Sequence, residues 1–184
     1  SDLAETGTHV THCPSSNMKL ASGVAPIEDY LERGINVALG NDGAPCNNTL
    51  DPLTEMKQAS LLQKVERLDP TATPARTIFE MATVNGATAA GFEKVGALRK
   101  GWRADIIGLD TDLTRAVPLH DVFSHLVYSA HGDDVRFTMV DGNVLQQEGE
   151  VRVVDADRIR RRGAEIASGM DLDAEREAAA SRKP

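Results

Sequence analysis

The chain has 184 residues, of which 41% are hydrophobic, and its formal net charge is −8. This hydrophobic fraction is enough for a core, whereas the acidic charge disfavours a nucleic-acid partner, because phosphate binding needs clustered lysine and arginine. No apolar run approaches the roughly 20 residues of a membrane span and no signal peptide is recognisable, so no membrane partner is expected. The two cysteines are too few for a disulfide framework and favour a reducing, cytoplasmic location.

Two strand–loop–helix units are predicted in the first third of the chain. Residues 8–11 are β-prone and precede a polar loop, after which residues 26–33 have a helical pattern. The apolar run 35–39 is bounded by glycines and is typical of a buried parallel strand. A second helix is predicted over 51–67, with Asp51 as its N-cap. This order is typical of the closing units of a parallel α/β barrel, so we expect the two strands to be parallel neighbours.

One carboxylate, Asp42, stands where the apolar run 35–39 changes abruptly to polar, glycine-rich sequence. In barrels of alternating strands and helices, the residues at the carboxyl ends of the strands carry the chemistry. Asp42 therefore lies where a catalytic or metal-binding carboxylate is expected, and we expect it to face an open, polar concavity. The alternative is that Asp42 only caps a turn, because Asn-Asp-Gly is a common turn sequence.

Further along, the pattern changes from helical to extended. Thr73 is predicted to cap a helix that begins at Pro74, and Asn85 with Gly86 is predicted to break that helix. The elements predicted here are a helix over 74–84, a helical turn over 87–92, a strand within 103–109, a hairpin of 137–140 with 144–146, and a charged helix over 155–166, followed by a frayed end from residue 168.

Four stretches resemble one known family, and they occur in that family's order. The two stretches at the first strands, HCPSSNMKLASGVAPI and GNDGAPCNNTLDPLTEMKQASLLQK, resemble the amidohydrolase superfamily. Within it they resemble the branch of S-adenosylhomocysteine/5-methylthioadenosine deaminases and atrazine-type chlorohydrolases. The stretch TPARTIFEMATVNGATAAGFEKVGALRKGWRADIIGLD resembles the last barrel helices leading into the family's β-sandwich, and LVYSAHGDDVRFTMVDGNVLQQEGEV resembles the closing strands of that sandwich.

The resemblance implies an α/β fold: the carboxyl-terminal part of a metal-dependent hydrolase (β/α)8 barrel, with part of a composite β-sandwich domain. We expect the last barrel strands and helices over residues 1–93, a β-sandwich segment over 94–155, and a carboxyl-terminal helix and tail over 156–184. A complete barrel needs roughly 250 residues, and the His-x-His pair with which family members begin does not occur in this sequence. We therefore expect the chain to be part of a longer enzyme.

The resemblance also implies a role for Asp42. It matches the family's aspartate at the end of the eighth strand, which is a metal ligand and shuttles the proton of the attacking water. The implied cofactor is Zn²⁺ or Fe²⁺, with most ligands outside this chain, and the implied reaction is hydrolytic deamination of a purine nucleoside-type or related N-heterocyclic substrate. One alternative is a chlorohydrolase acting on a triazine-type ring. The alternative of another class is a non-catalytic fragment, and the isolated chain is expected to be inactive.

Three further residues are candidates for substrate binding. Cys46 and Asn47 follow Asp42 on the same loop, and His12 stands directly after the preceding predicted strand, 8–11. For His12 the alternative is a hydrogen bond within its own loop, and Cys46 is disfavoured as a nucleophile because no neighbouring base is evident. The expected partners are a small N-heterocyclic molecule and either a second copy of the chain or the remaining part of the same enzyme. Three histidines of the sandwich region are expected to be structural or exposed: His120, His125 and His131.

Overall fold

Two parallel strands, β1 (Val10–His12) and β2 (Val37–Leu39), lie side by side, so the loops that follow them meet at one edge. The structure is a computed structural model and describes residues 2–170. Val10 pairs with Val37, and His12 pairs with Leu39. The predicted parallel pairing is confirmed, although both strands are shorter than predicted and β1 extends to His12, beyond the predicted end of the strand.

The α-helices of the described residues lie before, between and after these two strands. In chain order they are α1 (Asp2–Thr6), α2 (Pro14–Lys19), α3 (Ile27–Glu32), α4 (Ala44–Asn47), α5 (Pro52–Arg67), α6 (Ala75–Ala82), α7 (Val84–Ala89), α8 (Val122–Tyr128) and α9 (Ala156–Ser168). The short helices α2 and α4 lie in segments that the sequence predicts as polar loops. A proline stands in the first turn of each, where its fixed φ suits a helix and its missing N–H is not needed.

The core of the helical part lies between β2 and helices α5, α6 and α8. It contains the fully or almost fully buried side chains Val37, Met56, Ala59, Ile78, Met81 and Val127. Burial of each large aliphatic side chain in this set stabilises the fold by about 1.5–3 kcal/mol. On the outer side of this core, Phe79 of α6 and Phe123 of α8 make an edge-to-face contact with ring centroids 5.3 Å apart. Together these contacts fix α5, whose first turn approaches the loops after β1 and β2.

The break between α6 and α7 differs from the prediction. The interruption is at Thr83 (φ −122°, ψ −93°), whereas Asn85 and Gly86 lie inside α7. The reason is tertiary: the Asn85 side chain donates to the carbonyl of Val37 at 3.1 Å, which docks α7 on β2.

The predicted cap at Thr73 is wrong. Its φ of 43° is left-handed, and its buried hydroxyl has no hydrogen-bond partner among the described residues. Its backbone N–H instead donates to Glu28 Oε1 at 2.7 Å, so a distant carboxylate orients the segment. Pro74 occupies the N-cap position of α6, without a side-chain cap.

A second sheet of four antiparallel strands follows. Its strands in spatial order are β3 (Ile106–Leu109), β4 (Val135–Val140), β5 (Asn143–Gln147) and β6 (Glu150–Val151). The predicted hairpin is confirmed, because Asp141 and Gly142 form the turn between β4 and β5 with φ values of 48° and 80°. Between β3 and β4 the chain forms α8, which packs against α5 and α6. The predicted division into segments 1–93, 94–155 and 156–184 stays a prediction.

The predicted charged helix is confirmed as α9, and Asp155 caps it by accepting from the Arg158 N–H at 2.8 Å. The tail that is predicted to fray from residue 168 falls mostly on 171–184, outside the described residues. Within 2–170, no helix combines the length and the apolar character needed to cross a membrane.

Candidate functional site

The candidate site lies where the loop after β1 meets the loop after β2. The N–H of Gly40, the residue that follows β2, donates to the carbonyl of His12 at 2.9 Å. A Cβ at position 40 would lie 2.6 Å from Cγ2 of Thr11 and 3.1 Å from Sγ of Cys13. A side chain at position 40 would force the side chain of Thr11 or the backbone to shift, so glycine allows the two strand ends to approach this closely.

Asp42 projects from this junction with an exposed side chain and a left-handed backbone (φ 60°). Ser16 Oγ donates to its Oδ2 at 2.5 Å, and the Gly43 N–H donates to its Oδ1 at 2.7 Å. The hydrogen bond from Ser16, followed by that from Gly43, lowers the pKa of the Asp42 carboxyl group, and Cys46 adds a further hydrogen bond in the same direction. Asp42 thus caps its own turn, which was the alternative role predicted from the sequence. It also accepts a hydrogen bond from the segment after β1, and it is ionised at neutral pH.

Cys46 and Asn47 lie on α4, which directly follows Asp42. The Cys46 side chain is half-buried, and it helps to lower the pKa of the Asp42 carboxyl group. Asn47 is buried: its Oδ1 accepts from the backbone and hydroxyl of Thr49 and from the Leu50 N–H, and its Nδ2 donates to Glu55 Oε1 at 2.5 Å. These bonds favour a structural role for Asn47 over the predicted substrate contact, whereas Cys46 lies beside the candidate reactive carboxylate.

His12 is the last residue of β1, and its side chain is only 2% exposed. Neither of its ring nitrogens has a hydrogen-bond partner among the described residues, so the alternative of a bond within its own loop is not found. Burial lowers the pKa of His12 to about 4, which leaves the ring neutral at pH 7. A buried imidazole with two unsatisfied nitrogens is costly, and it indicates a partner beyond the described residues.

Sequence reasoning did not identify Glu55, in the first turn of α5, as a residue of the candidate site. The Glu55 side chain is completely buried, and it accepts from Asn47 through Oε1 and from the Ser15 N–H through Oε2 at 3.3 Å. The available signal was its spacing, because Glu55 precedes the buried Ala59 and Gln63 by four and eight residues. An acid on the buried face of a helix needs a specific set of donors.

The three histidines of the predicted sandwich region make no hydrogen bond to the candidate site residues. His120 and His131 are exposed, and His125 is buried on α8 rather than on a strand of the second sheet. The expectation that they are structural or exposed agrees with these positions.

A groove of about 860 Å³ lies between the start of α5, helix α6 and strands β3 and β4. Its lining includes Asp51, Phe79 and Leu109 but not Asp42. The open concavity expected at Asp42 therefore stays a prediction.

Asp42 has the chemistry of a metal ligand. Asp42 offers an ionised, exposed carboxylate, a suitable ligand for Zn²⁺ or Fe²⁺. Catalytic zinc sites use about three protein ligands, and residues 2–170 contain no group of three or more His, Cys, Asp and Glu side chains placed to share one ion. The described residues fit the role of supplying one ligand, Asp42.

Residues 1–145 match the family model described as the amidohydrolase family. A 5-methylthioadenosine/S-adenosylhomocysteine deaminase of Haloarcula marismortui is 47% identical over 168 residues, which are 91% of this chain and 39% of that protein. A 5′-deoxyadenosine deaminase of Methanosarcina mazei is 53% identical over 157 residues, which are 85% of this chain and 36% of that protein. The chain thus spans less than two fifths of the length of these curated relatives.

Solved structures of related enzymes also resemble this chain. An adenosine deaminase from Xanthomonas campestris with bound zinc superimposes with a TM-score of 0.86 at 35% identity, covering 89% of this chain and 37% of that one. An atrazine chlorohydrolase from Arthrobacter aurescens complexed with zinc gives a TM-score of 0.79 at 28% identity, covering 88% and 36%. The predicted fold class, α/β and part of a (β/α)8-type barrel, is confirmed by these neighbours. The chain belongs to the amidohydrolase family.

Proposed function

We propose that the full-length protein carrying this chain is a metal-dependent amidohydrolase that removes an amino group from a purine nucleoside-type substrate by hydrolysis. The observation that carries the proposal is the ionised, exposed carboxylate of Asp42 at the edge where two parallel strands end, bound by Ser16 and Gly43. The deaminase names of the relatives at 47% and 53% identity support the choice of substrate class.

Asp42 has two roles in this proposal. Its ionised carboxylate is one ligand of the metal, and it accepts the proton of the attacking water and passes it to the leaving amine. Ser16 and Gly43 hold the carboxylate in one orientation and keep it deprotonated, as both roles require. A bound Zn²⁺ lowers the pKa of its water towards neutrality. We propose zinc rather than Fe²⁺ because both solved neighbours above contain it.

The buried His12 and the half-buried Cys46 are proposed to border the substrate. The two unsatisfied ring nitrogens of His12 suit contact with a polar N-heterocycle, one nitrogen as donor and one as acceptor. Asn47 is proposed to act indirectly, by holding the loop that carries Cys46. The cytoplasmic location and the partners expected from the sequence, a second copy or the rest of the same enzyme, stay predictions.

Chloride displacement from a triazine-type ring is the second candidate, and the structural similarity to an atrazine chlorohydrolase favours it. Both reactions use water to displace a group from an electron-poor ring carbon, so they differ mainly in the ring that the pocket accepts. The deaminase hypothesis is preferred because the deaminase relatives have the higher sequence identity.

Ammonia and chloride release test these candidates. The zinc-loaded full-length protein is incubated in parallel with 5-methylthioadenosine, S-adenosylhomocysteine, 5′-deoxyadenosine and atrazine, and ammonia release from at least one purine nucleoside is expected. Chloride release alone would favour the second candidate, and no release from any substrate would favour a non-catalytic role. The isolated chain 1–184 is expected to release neither, because most metal ligands are proposed to lie outside it, and rapid ammonia release from it would contradict this.

A further inference from the structure

Glu55 joins the two loops that meet at Asp42. It lies in the first turn of α5 and is completely buried, and its two carboxylate oxygens accept from different loops. Oε2 accepts from the backbone N–H of Ser15, in the segment after β1, and Oε1 accepts from Asn47 Nδ2, in the segment after β2. These donors are 40 and 8 residues away in sequence, so one side chain fixes the distance between two separate segments.

Each partner of Glu55 is the immediate neighbour of a residue that donates to Asp42. Ser15 precedes Ser16, whose hydroxyl donates to Asp42 Oδ2, and Asn47 follows Cys46, which helps to lower the pKa of Asp42. A shift of Ser15 would therefore move a donor of the candidate reactive carboxylate, and a shift of Asn47 would move Cys46, which lies on the same segment as Asp42. Two short paths therefore connect the buried carboxylate of Glu55 with the exposed carboxylate of Asp42. One passes through Ser15 and Ser16, and the other passes through Asn47 and Cys46.

Packing alone does not explain an acid at this position. Burial of a carboxylate costs several kcal/mol unless donors compensate for its lost hydration. Among residues 2–170 no lysine, arginine or histidine forms an ion pair with Glu55, so neutral N–H groups carry this compensation. Asn47 cannot simply reverse its amide, because its Oδ1 already accepts from Thr49 and Leu50. The arrangement thus requires an acceptor at residue 55 and a donor at residue 47.

We propose that Glu55 is a positioning residue: it locks the loop after β1 to the loop after β2 so that Ser16 and Cys46 hold Asp42 in its reactive orientation. This inference rests on the proposed function only in assigning Asp42 the reacting carboxylate. Glu55 itself does not touch the substrate, and its effect passes through Ser15 and Asn47. Its removal is expected to loosen both loops even where no substrate or metal is bound.

An exchange of donor and acceptor tests the proposal. Glu55→Gln retains an acceptor for the Ser15 N–H, but its amide NH₂ group would face the amide NH₂ group of Asn47. Asn47→Asp instead places a second carboxylate opposite that of Glu55. The double variant N47D/E55Q restores the bond in reverse, because the introduced glutamine amide donates to the introduced carboxylate while the net charge is unchanged. Ser60→Ala is the matched control, since Ser60 is also fully buried on α5 but donates to Thr73 and contacts Tyr128.

Backbone hydrogen exchange at residues 13–19 and 43–50, together with kcat and KM, is measured in the full-length protein. Each single variant at residues 47 and 55 is expected to increase exchange in both segments and to lower kcat by about tenfold or more with a smaller change in KM. N47D/E55Q is expected to recover most of both losses. Ser60→Ala is expected to lower the melting temperature without changing loop exchange or kcat.

Unchanged loop exchange in Glu55→Gln would overturn the proposal, as would a folded N47D/E55Q variant that is no better than Glu55→Gln. If Glu55→Gln does not fold, recovery of folding and of loop protection in N47D/E55Q supports the proposal, and failure to recover overturns it. Loop exchange that responds as expected in a protein with no deaminase activity would leave the positioning role intact and reject the proposed function, so the two failures are distinguishable.

Discussion

Ser16 and Asp42, 26 residues apart in the sequence, are joined by a hydrogen bond of 2.5 Å between Ser16 Oγ and Asp42 Oδ2. The bond crosses from the segment after β1 to the segment after β2, and the parallel pairing of these strands brings the two residues to the same edge. It is also the largest cause of the lowered pKa of Asp42. One contact therefore connects the barrel topology to the protonation state of the candidate reactive group.

Ser16→Ala is expected to shift the acidic limb of the rate profile towards higher pH. Ser16 stabilises the ionised form of Asp42, so its loss raises the pKa of that carboxyl group, and the carboxylate is then protonated at a higher pH. The measurement is kcat/KM against pH. Thr71→Ala is the control, because Thr71 donates in the same way to Asp69, an exposed carboxylate on another loop. An acidic limb that stays in place in Ser16→Ala would contradict the assigned role.

Asp42→Asn is expected to lower kcat by about 100-fold or more and to reduce bound metal, because an amide neither takes up the proton nor ligates zinc as an anion. The fold should survive, since Asp42 is exposed and the substitution preserves its shape. Circular dichroism, metal analysis and turnover are the measurements. Asp69→Asn is the matched control, as an exposed aspartate with lowered pKa, and should leave all three unchanged. Wild-type turnover in Asp42→Asn would reject Asp42 as the catalytic carboxylate.

Replacement of His12 by Asn is expected to flatten the dependence of the free energy of unfolding on pH between about 6.5 and 4. In the folded protein burial lowers the pKa of His12 from 6.5 to about 4, so in this window the unfolded chain binds the proton and the folded chain does not. The free energy of unfolding therefore falls as the pH is lowered through this window, and its slope against pH corresponds to the uptake of up to about one proton. Denaturant unfolding at a series of pH values measures it, with the exposed His120→Asn as control. Equal slopes in wild type and His12→Asn would refute the expectation.

Gly40→Ala is expected to destabilise the protein by about 1–3 kcal/mol, because the new methyl group would overlap the side chain of Thr11. It should also lower turnover by separating the two strand ends. Thr11→Ser in the same background removes the clashing Cγ2 and should recover part of the stability. Gly163→Ala in α9 is the control: nothing lies within 4 Å of the added carbon, so stability should rise by up to about 1 kcal/mol. Thermal or denaturant unfolding decides between these outcomes, and a harmless Gly40→Ala would show that the strand ends can separate freely.

Asp51→Ala is expected to cost about 1–2 kcal/mol of stability, the usual range for loss of a helix cap. Asp51 accepts from the Leu53 N–H and from Thr54 at the start of α5, and also from the Gly132 N–H, 81 residues away. Asp155→Ala removes a cap that has only a local bond, on a helix without buried residues, and should cost less. Denaturant unfolding of both variants makes the comparison. Equal losses would indicate that the contact with Gly132 adds nothing.

The sequence alone was sufficient for the parallel pair of strands and for several local signals, and it supplied Asp42 as the main candidate residue. The apolar run that became β2, the Asp51 cap before Pro52, and the turn at Asp141 and Gly142 are local signals, and each was found where it was predicted. Asp42 was identified because chemistry in parallel α/β folds concentrates at the carboxyl ends of strands. These features are readable because hydrophobic periodicity, capping and turn formation act over a few neighbouring residues.

Tertiary structure alone decided the features that depend on distant partners. Thr73 lost its predicted capping role to a bond from its backbone to Glu28, 45 residues away, and the helix break moved to Thr83 because Asn85 docks on β2. Likewise the lowered pKa of Asp42 requires Ser16, and the role of Glu55 requires both Ser15 and Asn47. A buried polar group is satisfied by whatever donor the fold brings within about 3 Å, and the linear sequence does not encode that distance locally.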